Sequence, residues 1–102
     1  MNRFKAKGER FEREIVQLAQ SMGLTAHRIP LSGSTWIKGD VLIEGRKLEC
    51  KKRASGFKQI RDWIQGFDGL IIGSDHEKPL VVVRLEEWLK LLLKVKDIQV
   101  KI

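Results

Sequence analysis

The stretch DVLIEGRKLE, residues 40–49, constrains the fold more tightly than any other part of the chain. Two short strand-like runs flank Glu44-Gly45, a pair suited to a two-residue hairpin turn. A turn there sets Ile43 opposite Arg46 and Asp40 opposite Glu49, with Cβ atoms about 5 Å apart. Strand alternation then places Asp40, Glu49 and Lys51 on one face and sends Val41, Ile43, Leu48 and Cys50 to the other. A turn one residue later, at Gly45-Arg46, pairs Asp40 with Lys51 and still keeps the three polar groups together. A three-residue loop breaks the arrangement. Like charges opposite each other destabilise a ladder, so a chain that keeps both acids there points to a positive group bound between them.

The segments around the hairpin supply the layers it packs on. Phe11, Ile15, Leu18, Ala19 and Met22 recur at helical spacing across residues 8–22, and Gly23 is a fitting stop. Glu12 lies at the edge of that stripe, one turn before Val16. Residues 24–29 read as a strand ended by Pro30, and LSGSTWIKG, residues 31–39, as a polar loop. Ile60, Trp63, Ile64 and Phe67 repeat the helical spacing over residues 57–67. Residues 69–73 and 79–84 are short apolar runs that read as buried strands joined by SDHEKP. LEEWLKLLLKVK is an amphipathic helix whose apolar face is Leu85, Trp88, Leu89, Leu92 and Leu93. The tail DIQVKI alternates and reads as an edge strand. This order of helix, strand, hairpin, helix, two strands and helix predicts an α/β fold, a sheet with helices packed on it.

With 102 residues the expectation is one domain spanning 1–102. No apolar run approaches the ~18 residues of a membrane span, and the N-terminal MNRFKAKGER lacks the apolar segment of a signal peptide. A lone cysteine, Cys50, excludes an internal disulfide. A cytoplasmic protein without a membrane partner is expected. The net charge of +7 is unevenly spread: residues 1–61 hold 14 basic and 6 acidic residues, residues 62–102 hold 6 and 7. A basic half beside a neutral one is the electrostatic footprint of a nucleic-acid binder. A well-solvated basic surface is the plainer alternative.

Two carboxylates meeting on a sheet suit a hard cation. Mg²⁺ takes oxygen ligands, commonly one or two carboxylates completed by water and substrate phosphate. Held against a phosphodiester, such an ion activates water and stabilises the charge that develops on phosphorus. Lys51 points into the same space, where it can offset phosphate charge. A solvated hairpin face carries the same alternation of charges, and spacing alone leaves both readings open.

The combination KGERFER, then SGS, then GD, then LECK resembles the PD-(D/E)XK nuclease superfamily, and most of all the archaeal-type Holliday junction resolvases with their phage-borne relatives. The resemblance runs in order from Lys7 to about Leu92. It implies a restriction-endonuclease-like core, a central mixed β-sheet flanked by helices. It implies a Mg²⁺-dependent endonuclease, with Mn²⁺ as a substitute, acting on four-way DNA junctions as a homodimer. Asp40, Glu49 and Lys51 would be the catalytic acid, acid and lysine. Glu12 would be the helix-borne acid completing the metal site with Asp40 and Glu49, and Arg13 a neighbouring basic residue. Ser32 would sit in the loop that approaches the cleaved strand, and Gln59 takes the place of a functional glutamine. The proline that usually precedes the first aspartate is Gly39 here.

The remaining basic and polar side chains are assigned to DNA contacts: Arg3, Lys5, Lys7, Arg10, Arg13, Ser34, Lys38, Lys52, Arg53, Lys58, Gln59 and Arg61. His27 and His76 read as structural or solvated, Cys50 as a buried inert thiol, and Trp63 and Trp88 as core. Trp36, in the polar loop, packs locally or meets an unstacked base. Two rivals stand beside the resolvase reading. One is a nuclease of this fold with another DNA substrate, such as duplex ends or nicked DNA; the other is a DNA-binding module without cleavage. The acid–acid–lysine set argues against the second, because a pure binder gains nothing from acids facing a phosphate backbone.

Overall fold

A computed structural model describes residues 3–30 and 39–101. The element order is α1 (Arg3–Ser21), β1 (Ala26–Arg28), β2 (Val41–Ile43), β3 (Arg46–Leu48), α2 (Lys58–Ile64), β4 (Leu70–Ile72), β5 (Leu80–Val82) and α3 (Leu85–Lys101). The chain is α/β, as expected. The described strands pair only antiparallel, in two small sheets, where one central mixed sheet was expected. Contacts group the chain into two compact units, Met1–Lys52 and Arg53–Ile102.

In the first unit the core is built by the stripe of α1 and the inward faces of the strands. Ile15, Val16 and Ala19 of α1 are buried together with Leu24, Ala26, Ile29, Val41 and Ile43. Val41 and Ile43 are fully enclosed, and covering a side chain of that size stabilises by roughly 1.5–3 kcal/mol. The chain turns out of α1 through Met22 and Gly23, whose N–H groups donate to carbonyls of the last helical turn. β1 then lies along β2, with Ala26 opposite Ile43 and Arg28 opposite Val41. α1 packs against both strands. Ala26 and Arg28 share a face of β1 by alternation, so Arg28 points to the side covered by α1.

The hairpin has the register predicted for a Glu44-Gly45 turn: Ile43 pairs with Arg46, Leu42 with Lys47 and Val41 with Leu48. Both turn residues have positive φ, 49° at Glu44 and 78° at Gly45, as a two-residue turn between twisted strands requires. Glu44 is an unusual residue there. Its N–H donates to Thr25 O at 2.8 Å and its carboxylate accepts from Thr25 N–H, so local hydrogen bonds offset the strain.

In the second unit α2 is short, and Ile64 is its buried residue. Arg84 donates to the carbonyls of Phe67, at 2.9 Å, and Ile64, at 3.4 Å, and so satisfies the end of α2. β4 and β5 form a two-stranded ladder with Ile71 opposite Val81. These strands are not buried as expected, for Ile71, Leu80 and Val81 are all more than 60% exposed. Trp63, assigned to the core from its spacing, is half exposed, and Phe67 lies beyond the helix and is also exposed. α2 has only two turns, too short to aim four apolar residues at one neighbour.

α3 buries Leu89 and Leu92. Residues 97–101 continue this helix and do not form the expected edge strand. No Gly or Pro interrupts residues 85–101, and extending an existing helix adds a hydrogen bond per residue without a new nucleus. No described helix is long and apolar enough to cross a membrane.

Candidate active site

Pairing between β2 and β3 ends at Val41 and Leu48, so Asp40 and Glu49 lie one residue beyond the ladder. The Asp40 N–H donates at 2.9 Å to the Leu48 carbonyl, which belongs to the residue opposite Val41. That offset is the pattern of a β-bulge, a device that re-aims a side chain at the end of a strand. The Asp40 carbonyl in turn accepts from Ile29 N–H at 2.9 Å, tying the position to the end of β1.

Gly39 makes this geometry possible. Its φ of 121° lies in the left-handed half of the map, and a Cβ there would stand 3.4 Å from both Leu48 O and Ile29 Cδ1. Proline, with φ locked near −65°, cannot adopt this conformation. The glycine in the place of the resembled family's proline therefore answers a backbone requirement of this chain.

The re-aimed carboxylate of Asp40 accepts a 2.7 Å hydrogen bond from Cys50 N–H through Oδ2. It is also hydrogen-bonded to the Glu49 carboxyl. Glu49 is held above the usual glutamate range. The hydrogen bond to Asp40 is the largest cause, followed by the Asp40 charge, loss of solvation and the charge of Glu12; Lys51 acts in the opposite sense. The site thus gathers negative charge that Lys51 only partly offsets.

Cys50 feels the same field. Burial first, and then Asp40, Glu12 and Glu49, push its thiol up to about 11. It is half-buried rather than fully enclosed, but a thiol so poorly ionised is a weak nucleophile.

Glu12 is engaged elsewhere. Its Oε1 accepts from Arg28 Nε at 3.1 Å, and the side chains of Arg28 and Glu12 are 31% and 14% exposed. Arg13, the basic residue next to it in the chain, is exposed. Arg28 was not singled out in the sequence; the signal for it was the alternation with buried Ala26, which turns it toward α1. Among the described residues no three His, Cys, Asp or Glu side chains form a group that could hold a metal ion.

The donor chemistry present is two hard carboxylates, and that suits Mg²⁺ or Mn²⁺, which take one or two such ligands. Asp40 and Glu49 are the residues that would hold it.

Of the predicted DNA contacts, Lys7, Arg10, Arg13 and Lys52 belong to the first unit, and Arg53, Lys58, Gln59 and Arg61 to the second. All of these except Lys7, which is half-buried, are exposed. Lys52 Nζ lies 5.2 Å from the Phe11 ring centre and Arg53 lies 5.9 Å from that of Phe57. Each cation thereby stacks on an aromatic face while keeping its charge outward. Lys58 is paired with Asp62 at 2.9 Å on the surface of α2. Arg3 and Lys5 fall in the first turns of α1, but their side chains are outside the described set. Ser32, Ser34, Trp36 and Lys38 lie outside the described residues.

A cavity of ≈ 740 Å³ lies in the second unit beside α3. It contains none of the candidate catalytic residues, and its mixed lining of Asp68, Glu87, Lys90 and Lys94 offers no single charge for a ligand to meet. Comparison with protein-family models, curated proteins and solved structures finds no match.

Proposed function

We propose that the chain is a Mg²⁺-dependent endonuclease that hydrolyses phosphodiesters in branched DNA, with four-way junctions as the substrate and a restriction-endonuclease-like core as its fold. The observation that carries the reading is the meeting of the Asp40 and Glu49 carboxyls beside Lys51. A hairpin face that were merely solvated would spread those charges apart.

Asp40 and Glu49 would hold the cation, with Glu12 as a third acid. The cation would supply Lewis-acid stabilisation of the charge that develops at phosphorus. Lys51 offsets the negative charge of the scissile phosphate and orients the attacking water. The Cys50 N–H fixes the Asp40 carboxylate through the 2.7 Å hydrogen bond, so its rotamer is set before substrate arrives. The exposed cations Arg10, Arg13 and Lys52 of the first unit take the flanking phosphates, and Ser32 is assigned to the cleaved strand by the resemblance alone.

Cutting both strands of a symmetric junction takes two sites, which a two-fold homodimer supplies. Leu91, Val95 and Ile98 support α3 as the dimer surface, because they form a second, exposed apolar stripe at helical spacing. The protein acts in the cytoplasm of its cell or of a phage-infected host.

The decisive experiment compares cleavage of a four-way junction with that of a matched linear duplex, with Mg²⁺ and with EDTA. Junction cleavage that EDTA abolishes is expected. Asp40→Asn and Glu49→Gln should each abolish it while leaving junction binding intact. Equal cutting of the linear duplex would favour a nuclease with another substrate, and undiminished cutting by either variant overturns the site.

A further inference from the structure

We propose that the face of α2 bearing Phe57 and Arg61 is a pocket for one unpaired nucleotide of DNA, its base held against the Phe57 ring and its phosphate by arginine. The pocket rests on the reading of the chain as a DNA binder, but not on the cleavage chemistry of the first unit. Three observations carry it.

The first is shape. Phe57, Ile60, Arg61 and Ile64 stand at i, i+3, i+4 and i+7, so one face of α2, with Phe57 at its N-cap, presents all four. The Arg61 N–H donates to the Phe57 carbonyl at 3.1 Å and holds the two residues one turn apart. These four line a cavity of ≈ 370 Å³ whose other wall includes Val82 and Arg84. Small-ligand sites measure roughly 300–1,000 Å³, so the space suits a single nucleotide. A duplex covers its base faces by stacking and has none to offer such a pocket.

The second is charge. Two arginines and no acid line the cavity. Arg84 donates to the Phe67 and Ile64 carbonyls, which are neutral and leave its positive charge uncancelled. Among the described residues no carboxylate pairs with Arg61, and the one acid of α2, Asp62, is engaged by Lys58 at 2.9 Å. The cavity beside α3 differs, because Asp68, Glu87 and Asp97 line it together with its cations. Apolar walls under uncancelled guanidinium charge suit an anion with a flat, weakly polar body, and a nucleotide is that.

The third is the ring itself. Phe57 is the one aromatic residue lining the cavity, and it is 36% exposed. The Arg53 guanidinium, which does not line the cavity, lies 5.9 Å from the ring centre and adds a further cation there. An open aromatic face among arginines stacks a base while the cations track the backbone, and it accepts any base because each has a π-face.

The test is fluorescence anisotropy on the whole protein in EDTA at fixed salt. Two single strands of about twelve nucleotides are compared, one of thymidines and one abasic throughout, so that phosphate charge is equal. The wild type should bind the thymidine strand about tenfold more tightly. Phe57→Ala should bring that ratio close to one, and Phe57→Trp, which keeps a stacking ring, should preserve it. Arg61→Gln should weaken both strands by a similar factor and leave the ratio in place, as loss of a phosphate contact does. If Phe57→Ala does not fold, Phe57→Leu, apolar but without a flat face, carries the same expectation. Equal affinity of the wild type for the two strands overturns the pocket, and so does a ratio that survives Phe57→Ala. Binding of a matched duplex without any preference for the base-bearing strand overturns the pocket and leaves the DNA-binding reading standing. A protein that binds no DNA of any kind overturns both.

Discussion

Glu49 carries the clearest electrostatic signature in the molecule. Its carboxyl titrates above the usual glutamate range, because the hydrogen bond to Asp40 and the Asp40 charge both favour the protonated form. Side-chain NMR should find that raised midpoint, and Asp40→Asn should bring it back toward the ordinary value. A Glu49 midpoint at or below the usual range would show that Asp40 does not act on it as described. The sign for stability follows. A midpoint raised above that of the unfolded chain contributes to folding in full below the ordinary glutamate value, and that contribution is lost as pH rises through the raised midpoint. Cation binding should therefore compensate at neutral pH, where the repulsion is greatest. Glu12 shows how far residue-level reading reached. Its place at the edge of the α1 stripe was legible from spacing, and its side chain is indeed mostly enclosed. Its partner was not legible, since Arg28 is sixteen positions away on a strand. Glu12→Gln would strip Arg28 of its carboxylate. A melting temperature alone cannot separate a catalytic Glu12 from a structural one.

At the level of elements, the hairpin and its exit decide the site. The Glu44-Gly45 turn determines which residues of β2 and β3 meet, and its chemistry is visible in the sequence. The bulge at Asp40 is not visible there, because nothing in GDV announces that two residues will face one. Gly39 is the point at which this can be tested. Gly39→Ala puts a Cβ 3.4 Å from Leu48 O and forces an L-residue to hold a φ of 121°. The cost should be about 1–3 kcal/mol, read as a lower urea midpoint with an unchanged m-value. A substitution that cost nothing would mean that the bulge relaxes easily. Helix α3 teaches the converse lesson. DIQVKI alternates like a strand, but Leu91, Val95 and Ile98 also follow helical spacing, and six residues cannot distinguish the two periods. The helix already running through residues 85–96 settles the choice by propagation.

At the scale of the whole molecule, charge is the property most open to measurement. The surplus of Lys and Arg over Asp and Glu resides in residues 1–61, and the exposed cations described fall in both units. DNA affinity should therefore fall steeply with salt, about 0.9 log units per log unit of salt for each duplex phosphate neutralised. A filter-binding series between low and moderate salt reads the slope directly. Lys52→Ala should weaken binding on every DNA structure alike and flatten the slope, because a phosphate contact carries no shape information. A flat dependence for the wild type would point to a partner other than nucleic acid.

The sequence by itself determined the order of the eight described elements, the register of the hairpin and the helical face that buries Ile15 and Ala19. These depend on turn chemistry and on periodicity, which act over a few residues. Tertiary structure alone decided that Arg28 reaches Glu12, and that Trp63 and Ile71 stay exposed. Those outcomes depend on which faces of distant segments pack against one another, and local spacing is the same whether or not a neighbour arrives to cover them.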